Sequence, residues 1–169
     1  MITKATIEDV EILYKLVHSA YRGESSKKGW TSEADLLGGI RTTEKSLLET
    51  IQTPKTSIFK YLENEKVLGC VMLQEKEIAL YLGMLTVSPD LQGGGIGKKL
   101  LLYADIFAKE KVLPKIEITV ISVRSELIAW YERHGYVKTG KIKPFPMDDP
   151  NFGEPKQFLE FIVLENVVN

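Results

Sequence analysis

Leu82-Gly83-Met84-Leu85-Thr86-Val87-Ser88-Pro89-Asp90-Leu91-Gln92-Gly93-Gly94-Gly95-Ile96-Gly97-Lys98-Lys99 is the stretch that decides the fold, and Leu100 to Lys111 completes it. An apolar run with strand character is stopped by Pro89 and turned by four glycines within five residues. A helix pattern follows, with Ile96, Leu100, Leu101, Ala104, Phe107 and Ala108 on one face. Glycines before a helix leave backbone N–H groups unshielded, and the helix dipole adds positive potential there. The chemistry that suits such a place is an anion, above all a phosphate. A glycine-rich turn that only joins strand to helix has the same composition.

Spacing separates the phosphate loops. A Walker A loop fails, because Gln92 and Lys99 stand where it needs Gly and Ser or Thr. The dinucleotide fingerprint fails as well, ending on Lys98 if begun at Gly93 and on Leu100 if begun at Gly95. Gln-x-x-Gly-x-Gly fits, with Gln92, Gly95 and Gly97.

The rest of the chain sets bounds. At 169 residues it is long enough for one well-buried core and short for two, so one domain over 1–169 is expected. Twenty-two basic against 23 acidic residues give a net charge of −1, which offers no reason to invoke nucleic acid or a membrane surface. No apolar run approaches a membrane span and no signal pattern opens the chain, so a cytoplasmic protein is expected. The single cysteine, Cys70, excludes an internal disulfide and a cysteine-based metal cluster, and its apolar neighbours make it a buried small hydrophobe. No metal is expected.

Outward from the glycine stretch, Ile2 to Ala5 reads as an edge strand. Thr6-Ile7-Glu8-Asp9 has capping-box form before a helix through Tyr21, with His18 off its apolar face. Trp30, Glu33, Asp35 and Arg41 lie in a glycine-broken segment of the kind that carries binding residues, or that forms a short helix over Ser32 to Leu37. Thr43 to Gln52 is helical, ended before Pro54. Ser57–Leu62, Val67–Gln74 and Ile78–Val87 read as three antiparallel strands. Lys115–Ile121 alternates as a strand and, separated by a helix from the Ile78–Val87 strand, should run parallel to it. Ser122 can cap a helix over Val123–His134, ended by Gly135. Tyr136–Ile142 is a strand, Lys143–Pro155 a proline-rich loop, and Gln157–Glu165 a strand that closes the sheet.

A second motif is independent of the loop. Leu127-Ile128-Ala129-Trp130-Tyr131-Glu132-Arg133-His134-Gly135-Tyr136 resembles the helix ending in Tyr-Glu-x-x-Gly-Phe/Tyr of the GCN5-related N-acetyltransferases. The Gln92–Gly97 loop resembles that family's pyrophosphate loop, and the two motifs stand in the family's order. Together with the elements between them they cover about half the chain.

The resemblance implies an α/β fold, with a mixed, mostly antiparallel sheet of about seven strands, a splayed parallel pair and about four flanking helices. It implies an N-acetyltransferase that moves an acetyl group from acetyl-coenzyme A to a primary amine of a small molecule or peptide, by direct attack in a ternary complex. A coenzyme A-binding sensor or interaction domain on the same scaffold is the alternative. The implied coenzyme residues are Leu85, Thr86, Val87, Gln92, Gly93, Gly94, Gly95, Ile96, Gly97, Lys98 and Arg124. Backbone of Leu85 to Val87 would pair with pantetheine as an added strand does, and the loop amides would hold the diphosphate.

Tyr131 matches the tyrosine that faces the coenzyme sulfur. A phenol near pKa ~10 is a weaker acid than a thiol near ~8.5, so full proton transfer runs about 2 kcal/mol uphill. A strong hydrogen bond to the departing thiolate describes its role better. Arg124 departs from the pattern, since the family often has asparagine seven residues before this tyrosine. Trp30, Glu33, Asp35, Arg41, Phe145, Asp148 and Phe152 are the acceptor-side candidates by their segments. Glu33, Asp35, Glu75 and Tyr81 are the candidate bases. Dimers are common among relatives, so a homodimer is compatible with the resemblance.

Overall fold

The computed structural model describes residues 1–21, 37–38, 42–91, 94–149 and 152–169. In chain order these form β1 (Ile2–Lys4), α1 (Val10–Tyr21), β2 (Leu37–Gly38), α2 (Glu44–Gln52), β3 (Thr56–Glu63), β4 (Lys66–Glu75) and β5 (Leu80–Val87). They continue as α3 (Ile96–Glu110), β6 (Lys115–Ile121), α4 (Ser125–Arg133), β7 (Val137–Pro144), β8 (Glu154–Pro155) and β9 (Glu160–Val167).

Seven strands form one sheet in the order β1-β3-β4-β5-β6-β9-β7. All neighbours are antiparallel except β5 and β6, which are parallel across the α3 crossover, as the sequence order requires. The last strand does not close the sheet at its rim. It inserts between β6 and β7, pairing Ile118 with Leu164 on one side and Lys138 with Leu164 on the other, and leaves the exposed β7 as the edge. A separate short pair joins β2 to β8 through Leu37↔Pro155 and Gly38↔Glu154.

The central strands are buried on both faces, and their period of two sorts the core. Phe59 and Val71 face the α3 side with Leu73, Leu80, Leu82, Leu100, Leu101 and Ala104, whereas the adjacent Ile58 and Cys70 face α1 and α2 with Leu13, Val17 and Leu47. Cys70 is fully buried, as its apolar context implies.

Local signals explain most helix ends. Thr43 caps α2 through its hydroxyl, which accepts from the Ser46 N–H at 3.0 Å. The Asp9 carboxylate accepts from the Thr6 N–H at 2.8 Å, ahead of α1. One boundary differs from expectation: α4 begins at Ser125, with Arg124 as its N-cap, not after a Ser122 cap. The Ser122 N–H donates to the Glu160 carbonyl at 2.9 Å, and Ser122 and Val123 form a turn closed by the Arg124 N–H on the Ile121 carbonyl at 3.0 Å. Among the described residues no helix is long and apolar enough to cross a membrane, and no cluster of three or more His, Cys, Asp or Glu could hold a metal ion.

Candidate active site

The parallel pair is joined only at its start. Registered partners run from Leu80↔Ile116 to Tyr81↔Glu117, and at the next turn the Tyr81 and Thr119 hydroxyls bridge the strands at 3.0 Å. Beyond that point β5 leaves β6. The cause lies in β5 itself, where the β4–β5 register shifts between Cys70 and Met72 and Met84 adopts φ +51°. A side chain in left-handed backbone costs of order 1 kcal/mol or more. The Thr86 hydroxyl donates to the Met84 carbonyl at 2.9 Å and helps hold the bulge.

The gap is a cavity of about 170 Å³. Leu82 to Leu85 form one wall and Ile118 to Ile121 the other. Tyr21, Tyr81 and Tyr131 bring three phenols to it, Arg124 one cation, and Phe145, Phe152 and Phe161 an aromatic end. α4 carries Tyr131 into this space on its buried face, beside Ile128. The phenol is 6% exposed and packs edge-on against Trp130 and Tyr136. Burial raises its pKa well above that of an ordinary phenol. Tyr21 and Tyr136 add to the rise, and the Arg124 cation opposes it. Tyr131 is therefore a neutral hydroxyl and a hydrogen-bond donor at physiological pH.

A second cavity, of about 580 Å³, lies at the head of α3. Gly95 is the N-cap at φ +84°, a conformation side chains resist, and a methyl placed on it would meet nothing within 4 Å. The helix ladder begins with the Lys99 N–H on the Gly95 carbonyl at 3.0 Å. The amides of Ile96, Gly97 and Lys98 precede that ladder, as in any helix's first turn. Val87, Gly95, Ile96, Gly97 and Lys98 line this cavity from one side, and Glu126, Ala129, Trp130, Arg133 and His134 of α4 from the other. An open backbone cradle of this shape and polarity fits a diphosphate.

Of the residues singled out in the sequence, Leu85, Arg124, Tyr131, Phe145 and Phe152 meet at the first cavity, and Val87, Gly95, Ile96, Gly97 and Lys98 at the second. Thr86 is buried between them in β5, and Gly94 leads into the α3 cap, its N–H donating to the Leu91 carbonyl at 3.2 Å. Asp148 is exposed and lines neither cavity. Of the candidate bases, Tyr81 lines the first cavity, whereas Glu75 sits 3.9 Å from Lys111. Lys99, next to Lys98, is turned away onto the Tyr61 hydroxyl at 3.3 Å. Trp30, Glu33, Asp35, Arg41, Gln92 and Gly93 lie outside the described residues, as does the short helix expected over Ser32 to Leu37 except for Leu37 itself, which stands in β2. The sequence reading did not single out Tyr21, Thr119 or Phe161 for the first cavity, nor Glu126, Trp130, Arg133 and His134 for the second. Tyr21 had a signal, as a polar-tipped aromatic ending an apolar helix face.

The acetyltransferase (GNAT) domain family matches residues 54–138, which hold both cavities' central elements. No curated protein sequence matches the chain. Among solved structures, the fold is similar to the ribosomal-protein-S18-alanine N-acetyltransferase from Escherichia coli. That match has 16% identity over 100% of this chain and 94% of that one, with a TM-score of 0.73. It is also similar to an N-acetyltransferase from Staphylococcus aureus Mu50, at 14% identity over 99% and 97% of the two chains and a TM-score of 0.76. A structure from Bacillus anthracis str. Ames in complex with acetyl coenzyme A is 22% identical over 70% of this chain and 66% of that one, with a TM-score of 0.59. Family match, splayed sheet and glycine-headed helix agree: the chain belongs to the GNAT acetyltransferase family and is an acyltransferase.

Proposed function

We propose that the protein is an N-acetyltransferase that uses acetyl-coenzyme A as co-substrate and a primary amine of a small molecule or peptide as acceptor, in a single domain acting in the cytoplasm. The observation that carries the reading is the neutral, buried phenol of Tyr131 in the gap where β5 leaves β6, beside the helix headed by Gly95. The first-turn backbone amides of α3, from Ile96 to Lys98, would hold the diphosphate. The stretch of β5 from Leu85 to Val87, past its last registered β6 pair at Tyr81↔Glu117, would hold pantetheine, and Arg124 would flank the acyl end. Phe145 and Phe152 would then wall the acceptor's approach.

The chemistry follows from these positions. A neutral amine adds its lone pair to the thioester carbonyl carbon, and the C–S bond breaks with its electron pair on sulfur. The ammonium formed gives up its proton to a base or to water. Tyr131 donates a hydrogen bond to the sulfur as charge develops. Its raised pKa makes complete proton transfer less favourable still, so its contribution is electrostatic.

The test is release of coenzyme thiol across a panel of amines, amino acids and peptides. Turnover on at least one amine is the expected result. Tight coenzyme binding with turnover on none would contradict the enzyme reading and favour a sensor on the same scaffold.

A further inference from the structure

A third cavity, of about 310 Å³, adjoins the one at the glycine turn. Lys98, Arg133 and His134 line both, and all three are basic. Their positions in the fold differ. Arg133 ends α4 and His134 is its C-cap, where the dipole welcomes cations. Lys98 sits in the first turn of α3, where the dipole disfavours one. Helix electrostatics therefore does not explain why the three converge. Among the described residues, none of them is in an ion pair. Glu126 lies on the wall of one cavity and Asp105 on that of the other, which bounds the basic patch with acid. His134 is held in place: its Nδ1 is 2.7 Å from the Trp130 carbonyl, and its ring lies 4.3 Å from the Trp130 ring. With Nδ1–H donating to that carbonyl, Nε2 is the polar atom left for another partner.

We propose that Lys98, Arg133 and His134 form a seat for a phosphate monoester, and that its occupant is the 3′-phosphate on the coenzyme's ribose. The assignment rests on the coenzyme reading above. A monoester dianion offers three oxygens to a planar guanidinium, a point-charge ammonium and an imidazole donor. The same ribose carries the diphosphate through its 5′ carbon, so a diphosphate on the first turn of α3 brings the 3′ substituent to the neighbouring cations. Asp105 repels an anion that goes deeper, which keeps the phosphate between α3 and the end of α4.

The experiment is calorimetric titration of the full chain with coenzyme A and with 3′-dephospho-coenzyme A, for the wild type, Arg133→Gln and His134→Gln. The wild type should bind coenzyme A roughly 10- to 100-fold more tightly than the dephospho compound. In Arg133→Gln, an exposed change at a helix end, that preference should shrink to within about 3-fold while dephospho-coenzyme affinity moves less than about 2-fold. His134→Gln should shrink it in the same direction. Equal binding of both compounds by the wild type would overturn the proposal and leave the coenzyme reading intact. So would an undiminished preference in Arg133→Gln, or an equal loss for both compounds. Binding of neither compound by the wild type would overturn both.

Discussion

The Tyr21 hydroxyl at the end of α1 donates to the Leu85 carbonyl of β5, in a buried bond that ties the first helix to the open stretch of the splayed strand. Leu85 lies one residue past the Met84 bulge, where β5 has lost its β6 partner. A buried carbonyl stripped of a donor costs about 1–3 kcal/mol. Tyr21→Phe should therefore lower unfolding free energy by about that amount, measured by urea denaturation. Because the same bond sets the wall of the first cavity, the variant should also raise KM for acetyl-coenzyme A. Unchanged stability would show that Leu85 is satisfied without the phenol.

At Gly69, β4 lies close against both β5 and α3. A methyl there would stand 2.9 Å from the Thr86 carbonyl oxygen and 3.0 Å from Ile96 Cγ2. The oxygen belongs to the β5 backbone and Ile96 opens α3, so relief requires moving the strand or the glycine-headed helix. Gly69→Ala should cost about 1–3 kcal/mol by overpacking. Thermal denaturation measures the loss, and a variant as stable as the wild type would mean that α3 shifts freely.

Tyr136 is buried with a hydroxyl that has no hydrogen-bond partner among the described residues. Removing an unsatisfied buried hydroxyl relieves its desolvation cost, so Tyr136→Phe should stabilise the fold by roughly 1 kcal/mol. Burial, with Asp105 second, raises this phenol's pKa, and Tyr131 is raised in the same direction. In the unfolded chain both ionise near pH ~10. Above that pH the unfolded state holds fewer protons than the folded one, so stability must fall as pH rises. Each such phenol contributes a slope of about 1.4 kcal/mol per pH unit. Denaturation measured across pH 9 to about 11 should show the fall, with a shallower slope in Tyr136→Phe. An equal slope in both proteins would contradict the assignment.

For Tyr131, the Phe variant should lose about 100-fold in kcat while its coenzyme Kd stays within about 2-fold, since only the hydrogen bond to the developing thiolate is deleted. In the proposed mechanism the neutral phenol is the working form, and its pKa is raised, so no alkaline loss of rate below about pH 10 should trace to it. An unchanged rate in a chemistry-limited assay would remove Tyr131 from the mechanism.

Where local rules act, the sequence announces the structure. Gly95 before an amphipathic run, the helical pattern ended before Pro54, and alternation through Lys115–Ile121 each became the element they signal. The splay was legible only through family resemblance, because its physical cause is left-handed backbone at Met84, and methionine carries no preference for it. Tyr21 and Phe161 reach the first cavity from opposite ends of the chain, and no spacing rule connects residues so far apart. The insertion of β9 between β6 and β7 is likewise long-range, since a lone alternating strand fits a rim as well as an interior. The late start of α4 follows from the turn at Ser122 and Val123, which puts Arg124 at the N-cap.

Isothermal titration calorimetry of the purified chain with acetyl-coenzyme A tests the central claim most directly, with Gly95→Asp as the control. The wild type should bind one equivalent with a Kd of about 10 μM or tighter, near −7 kcal/mol. Gly95→Asp should bind none while remaining folded, because its carboxylate would stand in the diphosphate's place. No heat and no thermal protection of the folded wild type by either the acetylated or the free coenzyme would contradict the account.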